Sequence, residues 1–244
     1  VWPAQPGAAP RADTPRRTGT LRCFTMPPLS TALRADPACA SPARQGRERI
    51  LARIREAAIT EFGLHGFKGA STQAIAERAG LTKPQLHYYI KGKDELYEEL
   101  LFAVLQGWAE AFAFDATGAD PRRVLAEYIR KKLAYALDNP GLSRIFTNEL
   151  LGGGPNLTRY WPLALRSTQH KIDLIDSWIA AGRMRALDAR LLLMHIWAMT
   201  QHYADYAVQV RVMLGQPPDT PIGRAPIERE LTDFVLMGCG FAPE

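Results

Sequence analysis

The segment "WAMTQHYADYAV", residues 197–208, sets Trp197, Gln201, His202, Tyr203, Asp205 and Tyr206 into a run otherwise apolar enough to be buried. At roughly 100° per residue, Trp197, Gln201, Ala204 and Val208 share one helical face, while Ile196, Met199, Tyr203, Ala207, Val210 and Leu214 share a broader apolar one. His195, His202, Asp205 and Gln209 take the third side. Burying an amide without a partner costs about 1–3 kcal/mol, so Gln201 requires either an internal partner or a ligand. An indole wall beside a group that both donates and accepts suits a small planar heterocycle with alternating N–H and C=O groups. Met199 and Tyr203 read as core or interface packing. His195 and His202 do not read as a metal pair, because two turns of helix hold them about 10 Å apart, too far for one ion about 2 Å from each.

A second set of residues offers different chemistry. "STQAIAERAG" followed by "LTKPQLHYY" reads as two short helices, the first capped by Ser71 or Thr72 and ended by Gly80, the second capped by Thr82 with Pro84 in its first turn. Joined through Ala79, Gly80 and Leu81, they make a helix-turn-helix. The second helix would enter a major groove N-terminus first, with Gln85 at base edges, where Gln pairs with adenine, and Lys83 near phosphate. Thr72 and Gln73 open the first helix, where backbone N–H groups hold phosphate. Lys91 and Lys93, ahead of "DELYEELL", would clamp the backbone on the far side.

These residues must be positioned by helices, since no strand pattern or internal repeat occurs. Ahead of the helix-turn-helix, "RERILARIREAAITEFGLHGF" carries Ile50, Ile54, Ala57, Ala58 and Phe62 on one face, with Gly63 and Gly66 expected to stop it. "PRRVLAEYIRKKLAYAL" turns Val124, Leu125, Tyr128, Leu133 and Leu137 inward, and "LSRIFTNELLGGGP" closes on three glycines. Long helices are expected near 160–181 and, unbroken, 188–214, then a Pro-rich loop and a last helix from about Ile227. The fold class is all-α.

With 244 residues and a net charge of +5, the chain has room for one or two domains. Residues 1–49 hold eight arginines against Asp13, Asp36 and Glu48, so that segment supplies the whole excess, which suits a polyanionic partner. Residues 1–43, rich in Pro, Ala, Gly, Thr and Arg, are expected to be a disordered extension. Met26 lies inside it and the chain opens on Val, as a start codon assigned upstream of the true one would produce. Cys23, Cys39 and Cys239 form no CxxC pair, which argues against a disulfide framework or thiolate zinc site. No apolar run nears the roughly 18 residues of a membrane span and no signal peptide is seen, so a cytoplasmic location is expected.

"ILARIREAAITEFGLHGFKGASTQAIAERAGLTKPQLHYYIKGKDELYEELL" resembles the N-terminal domain of TetR-type transcriptional repressors, through the "IAERAG" turn, the pair Tyr88 and Tyr89, and Lys93. Gly92 stands where the family often has a capping Ser, and Ile90 where it often has Phe. The resemblance implies a homodimer on a palindromic operator, its reading helices one DNA turn apart. It implies a helix-turn-helix DNA-binding domain over 44–93 and a larger helical effector-binding and dimerisation domain over 94–244. Carried over position by position, it implies DNA contacts from Thr72, Gln73, Lys83, Gln85, His87, Tyr88 and Lys93, with Tyr89 packing inward.

"IWAMTQHYADYAVQV", with "EYIRKKL", "SRIF" and "ELL", is similar to the pyrimidine-utilisation branch of that family, whose effectors are uracil and thymine. The implied effector site uses Trp197 and Gln201, with Trp108 as a second wall and Asp205 beside them. Asp205, like Arg130, Lys132 and Arg144, is a weaker candidate, because charged residues on such helices more often pair or face water. "FTNELLGGGPN" departs from the branch pattern, and the loop near Gly152 bears on which pyrimidine fits. A repressor of a more hydrophobic ligand is the alternative. No GxSxG, HExxH, Walker loop or convincing carboxylate pair points to an enzyme, and no cofactor is implied. A helical interaction protein without a DNA role is the remaining rival class.

Overall fold

A computed structural model describes residues 42–111 and 120–242. The chain divides into two units, Val1–Gln45 and Gly46–Glu244. Of the extension over 1–43 expected to be disordered, residues 1–41, with Cys23 and Cys39, lie outside the described residues, while Pro42 and Ala43 are helical and open the first helix. Those described form ten α-helices, one 3-10 helix and no strand. In chain order the α-helices are α1 Pro42–Gly69, α2 Thr72–Arg78, α3 Lys83–Tyr89, α4 Lys93–Ala111, α5 Pro121–Asp138, α6 Pro140–Leu151, α7 Trp161–Ala180, α8 Ala189–Asp205, α9 Ala207–Met213 and α10 Arg224–Gly238. The 3-10 helix, Pro155–Tyr160, leads into α7.

Local chemistry explains the helical ends. Ser71 accepts from Ala74 N at the start of α2, and Asp188 accepts from Arg190 N and Leu191 N at the start of α8. Pro121 and Pro140 each occupy a first turn, where the missing N–H costs nothing. Gly63 does not stop α1; the break comes at Gly66 (φ 64°, ψ −179°), after which one further turn runs to Gly69.

Two apolar clusters hold the molecule. In the first, Ile54, Ala57, Ala58 and Phe62 of α1 meet Ile75 of α2, Leu86 of α3, and Leu96, Tyr97 and Leu101 of α4; Ile145, Phe146 and Leu157 join from beyond. The second gathers Leu125, Tyr128 and Ile129 of α5, Ile175 and Trp178 of α7, Leu193 and Ile196 of α8, and Leu231 and Val235 of α10. Burying aliphatic side chains at about 25 cal/mol per Å² is the main stabilisation of both. Trp108, near the end of α4, packs against both clusters.

The helix expected to run unbroken over 188–214 is two helices. Tyr206 (φ −107°, ψ 30°) ends α8 and opens α9. Beyond the break Val208 and Leu214, expected on buried faces, are exposed, while Ala207 and Val210 are buried. At the break Asp205 is held from α6 by two hydroxyls, Ser143 Oγ at 2.7 Å and Thr147 Oγ1 at 2.6 Å.

Candidate functional site

The helix-turn-helix forms as its caps dictate. α2 ends in a Schellman turn: Gly80 N donates to Glu77 O at 2.9 Å, and Leu81 N to Ala76 O at 2.8 Å. Gly80 sits at φ +66°, where a side chain would be strained and would also strike the guanidinium of Arg53, which itself donates to Ala79 O. α3 opens with a reciprocal capping box. Thr82 N donates to Gln85 Oε1 at 2.8 Å, and Gln85 N to Thr82 Oγ1 at 3.4 Å.

That box sets what α3 shows to solvent. Leu86 is buried, whereas Lys83, Gln85, His87 and Tyr88 are exposed, Tyr88 to 75%. Tyr89 packs against the first cluster with its ring edge-on to Tyr88 and the Arg47 guanidinium over it. The Gln85 carbonyl oxygen is already engaged, leaving its NH2 for an outside acceptor. Thr72 is half-buried at the start of α2, and Gln73 Nε2 donates to Glu77 Oε1 at 2.6 Å.

Lys93 is fastened differently. Its ammonium donates to Phe67 O at 2.9 Å and Ala70 O at 3.1 Å, and lies over the Phe67 ring. It therefore closes the end of α1 onto the start of α4, with one N–H left. Lys91 pairs with Glu95 at 2.9 Å.

The second group of candidates assembles where α4, α5, α6 and α8 meet. Trp197 Nε1 donates to Tyr128 Oη at 2.7 Å, which fixes the indole edge and leaves its face for contacts. Trp108 stands edge-on to Phe146 at 4.5 Å. The buried Lys132 ammonium lies 4.7 Å from the Trp108 ring centroid and 5.9 Å from that of Trp197. Burial and the nearby Lys171 charge pull its pKa down from 10.5 to about 7. Lys171, also buried, donates to Ser167 Oγ at 2.9 Å, and its pKa is lowered by desolvation.

Gln201, one turn beyond Trp197, is half-buried and makes no hydrogen bond to any described residue. Each oxygen of Asp205 already accepts from a hydroxyl, Oδ1 from Ser143 and Oδ2 from Thr147, which holds the carboxylate toward α6. Arg130 is exposed and paired with Glu127, as charged residues on such helices usually are. Arg144 is half-buried, its Nε without a hydrogen-bond partner among the described residues. Of these charged candidates, Lys132 is the one buried against the two indoles. A separate groove of about 310 Å³, lined by Leu137, Tyr203, Ala207, Arg211 and Arg224 among others, includes neither Trp197 nor Gln201.

Sequence reasoning ranks Lys132 low and does not name Lys171, or Tyr128 and Phe146 as site residues. A signal is present: Leu125, Tyr128, Lys132 and Ala136 follow one stripe of α5, so a charge sits within an apolar face.

Comparison with known proteins decides the family. Residues 54–100 match "Bacterial regulatory proteins, tetR family", and residues 101–242 match "YcdC-like protein, C-terminal region". The chain belongs to the TetR family. It is a ligand-responsive DNA-binding transcriptional regulator, and its relatives are regulators rather than enzymes. It is similar to the HTH-type transcriptional regulator RutR of Escherichia coli K12, 37% identical over 163 residues, which are 66% of this chain and 77% of that one. Among solved structures, a tetR-family regulatory protein from Rhodococcus RHA1 has the same fold, with TM-score 0.65, 19% identity, and coverage of 80% of this chain and 98% of that one. The regulator PfmR from Thermus thermophilus gives TM-score 0.61 at 21% identity, covering 76% and 97%. In this TetR-family chain no helix among the described residues is long and apolar enough to cross a membrane.

Proposed function

We propose that this TetR-family regulator is a cytoplasmic, homodimeric repressor of pyrimidine-catabolism genes, released from a palindromic operator by uracil or thymine. The observation that carries the ligand class is Gln201, half-buried one turn beyond Trp197 on α8 with no protein partner among the described residues. An amide in that position gains a hydrogen bond only from a bound molecule or water. A pyrimidine-dione meets it with an N–H and a carbonyl on one edge, while its flat face suits the indoles of Trp197 and Trp108. The sequence resemblance to the pyrimidine-utilisation branch supports the same class.

On the DNA side, Lys83, Gln85, His87 and Tyr88 form the reading surface of α3, with Thr72 and Gln73 flanking it. Gln85 uses its NH2 toward a base acceptor, and the remaining Lys93 N–H reaches a backbone phosphate. Leu191 and Met194 on α8, with Phe234 and Met237 on α10, are exposed apolar pairs one turn apart, and they support a dimer surface.

α4 connects the two activities. Lys93 ties its start to the end of α1, and Trp108 stands fifteen residues on, about 22 Å along the helix. A ligand that shifts the Trp108 backbone, rather than only turning its ring, tilts or slides this rod, whose start Lys93 binds to the end of α1. Release requires the ligand to prefer the displaced conformer, with a coupling of typically about 1–3 kcal/mol.

Calorimetric titration of the intact protein with uracil, thymine and cytosine tests this reading. One uracil or thymine per subunit, with binding lost in Gln201→Ala, is expected. Absence of heat from every pyrimidine, in protein that still binds DNA, would refute the effector assignment.

A further inference from the structure

We infer that the groove at the α8–α9 break is a second ligand site, for a small carboxylate with a flat apolar body. It stands apart from the effector site, since neither Trp197 nor Gln201 lines it. Its volume of about 310 Å³ lies at the small end of ligand pockets, which run from about 300 to 1,000 Å³. The α5–α6 junction, the end of α8, α9 and the loop leading into α10 build its walls. Those walls are apolar at Leu137, Pro140, Ala204 and Ile222. Half-buried Tyr203 adds a ring, and its hydroxyl makes no hydrogen bond to a described residue.

Arg211 selects the charge. It is half-buried, and its Nε donates to Thr220 O at 2.8 Å, so the loop ahead of α10 holds the guanidinium in place. With Nε engaged, the edge left is that of the two terminal nitrogens, which have no hydrogen-bond or ion-pair partner among the described residues. That edge offers two parallel N–H groups, a fit for the two oxygens of one carboxylate. The other charges on the groove, Arg224 and Asp138, pair with each other. Arg211 is therefore the lining charge without a counter-ion, and a monoanion balances it. The second charge of a phosphate monoester would meet apolar walls instead, at a desolvation cost. Tyr203 belongs to α8 and Arg211 to α9, so a ligand that meets both bridges the break between the two helices.

The test is calorimetric titration of the intact protein with benzoate and with benzamide, its uncharged counterpart. Wild type should bind one benzoate per subunit with a Kd of about 1 mM or tighter, and benzamide at least about tenfold more weakly. In Arg211→Gln, benzoate affinity should fall by about tenfold or more, while operator binding stays as in wild type and shows that the variant is folded. Equal affinity for benzoate and benzamide in wild type, or no heat from benzoate at millimolar concentration, overturns the assignment without any variant. So does benzoate binding that persists at full strength in Arg211→Gln. Displacement of benzoate by uracil would place it in the effector site and overturn the second site. The benzoate and benzamide titrations require no pyrimidine, so failure of uracil to bind sinks the effector reading alone.

Discussion

Replacing Tyr128 with Phe removes one oxygen and leaves the rest of the ring in place. That oxygen accepts the Trp197 indole N–H at 2.7 Å across α5 and α8, two helices that pack closely in the second cluster. The donor then remains half-buried without its acceptor, which costs about 1–3 kcal/mol, while the hydroxyl's own desolvation is recovered. A net loss of about 1–2 kcal/mol follows. For a folded unit of this size each kcal/mol lowers Tm by about 2–4 °C, so a drop of about 2–8 °C is expected at fixed protein concentration, which matters if a dimer is melting. The indole is also freed to rotate, and uracil affinity should weaken even though Tyr128 is not proposed to touch the ligand. Paired with Trp197→Phe in a double-mutant cycle, the two changes should couple by about 1 kcal/mol. Stability unchanged within about 0.5 kcal/mol in Tyr128→Phe, together with zero coupling, would refute the bond and the orienting role built on it.

Three further outcomes are expected. Lys83→Ala should weaken operator binding and reduce the slope of log affinity against log salt by about one in a salt-series binding assay; an unchanged slope would remove Lys83 from the phosphate contacts. Asp205→Leu should leave the hydroxyls of Ser143 and Thr147 without their acceptor and destabilise the fold by about 1–3 kcal/mol in denaturant unfolding, with no loss if those bonds are not made in solution. Lys132 has a folded-state pKa of about 7 against an ordinary 10.5, so between those values the unfolded chain holds a proton that the folded chain has released. Stability should accordingly rise with pH over that window, and Lys132→Met should flatten the rise; a parallel rise in the variant would assign it to other groups.

The reading head was legible because its determinants are local. Ser71, Gly80, Thr82 and Pro84 each act within a few residues of their own position, and each performs the expected task. The break between α8 and α9 was not legible, since neither Gly nor Pro marks it. It coincides with Asp205 being held by Ser143 and Thr147, 62 and 58 residues earlier in the chain. Gln201 stood out because an amide beside a tryptophan contradicts an apolar run. Lys132 breaks the same rule on α5, yet a lysine at a helix surface usually extends to water, and only the packing of α4, α5 and α8 shows that this one does not.

The first apolar cluster does not stop where the reading head stops. Ile145, Phe146 and Leu157 complete a core begun by Phe62, Ile75 and Leu86, and a buried Glu149 accepts hydrogen bonds from Tyr97 Oη and from Asn156. The head is therefore not a detachable cartridge. A chimera joined just after α3 would unite apolar surfaces selected for different neighbours, whereas one that carries α4, α6 and the 3-10 helix with the head keeps its own lining. The exposed face of α3 thus rests on a core that is whole only with α4, α6 and the 3-10 helix in place.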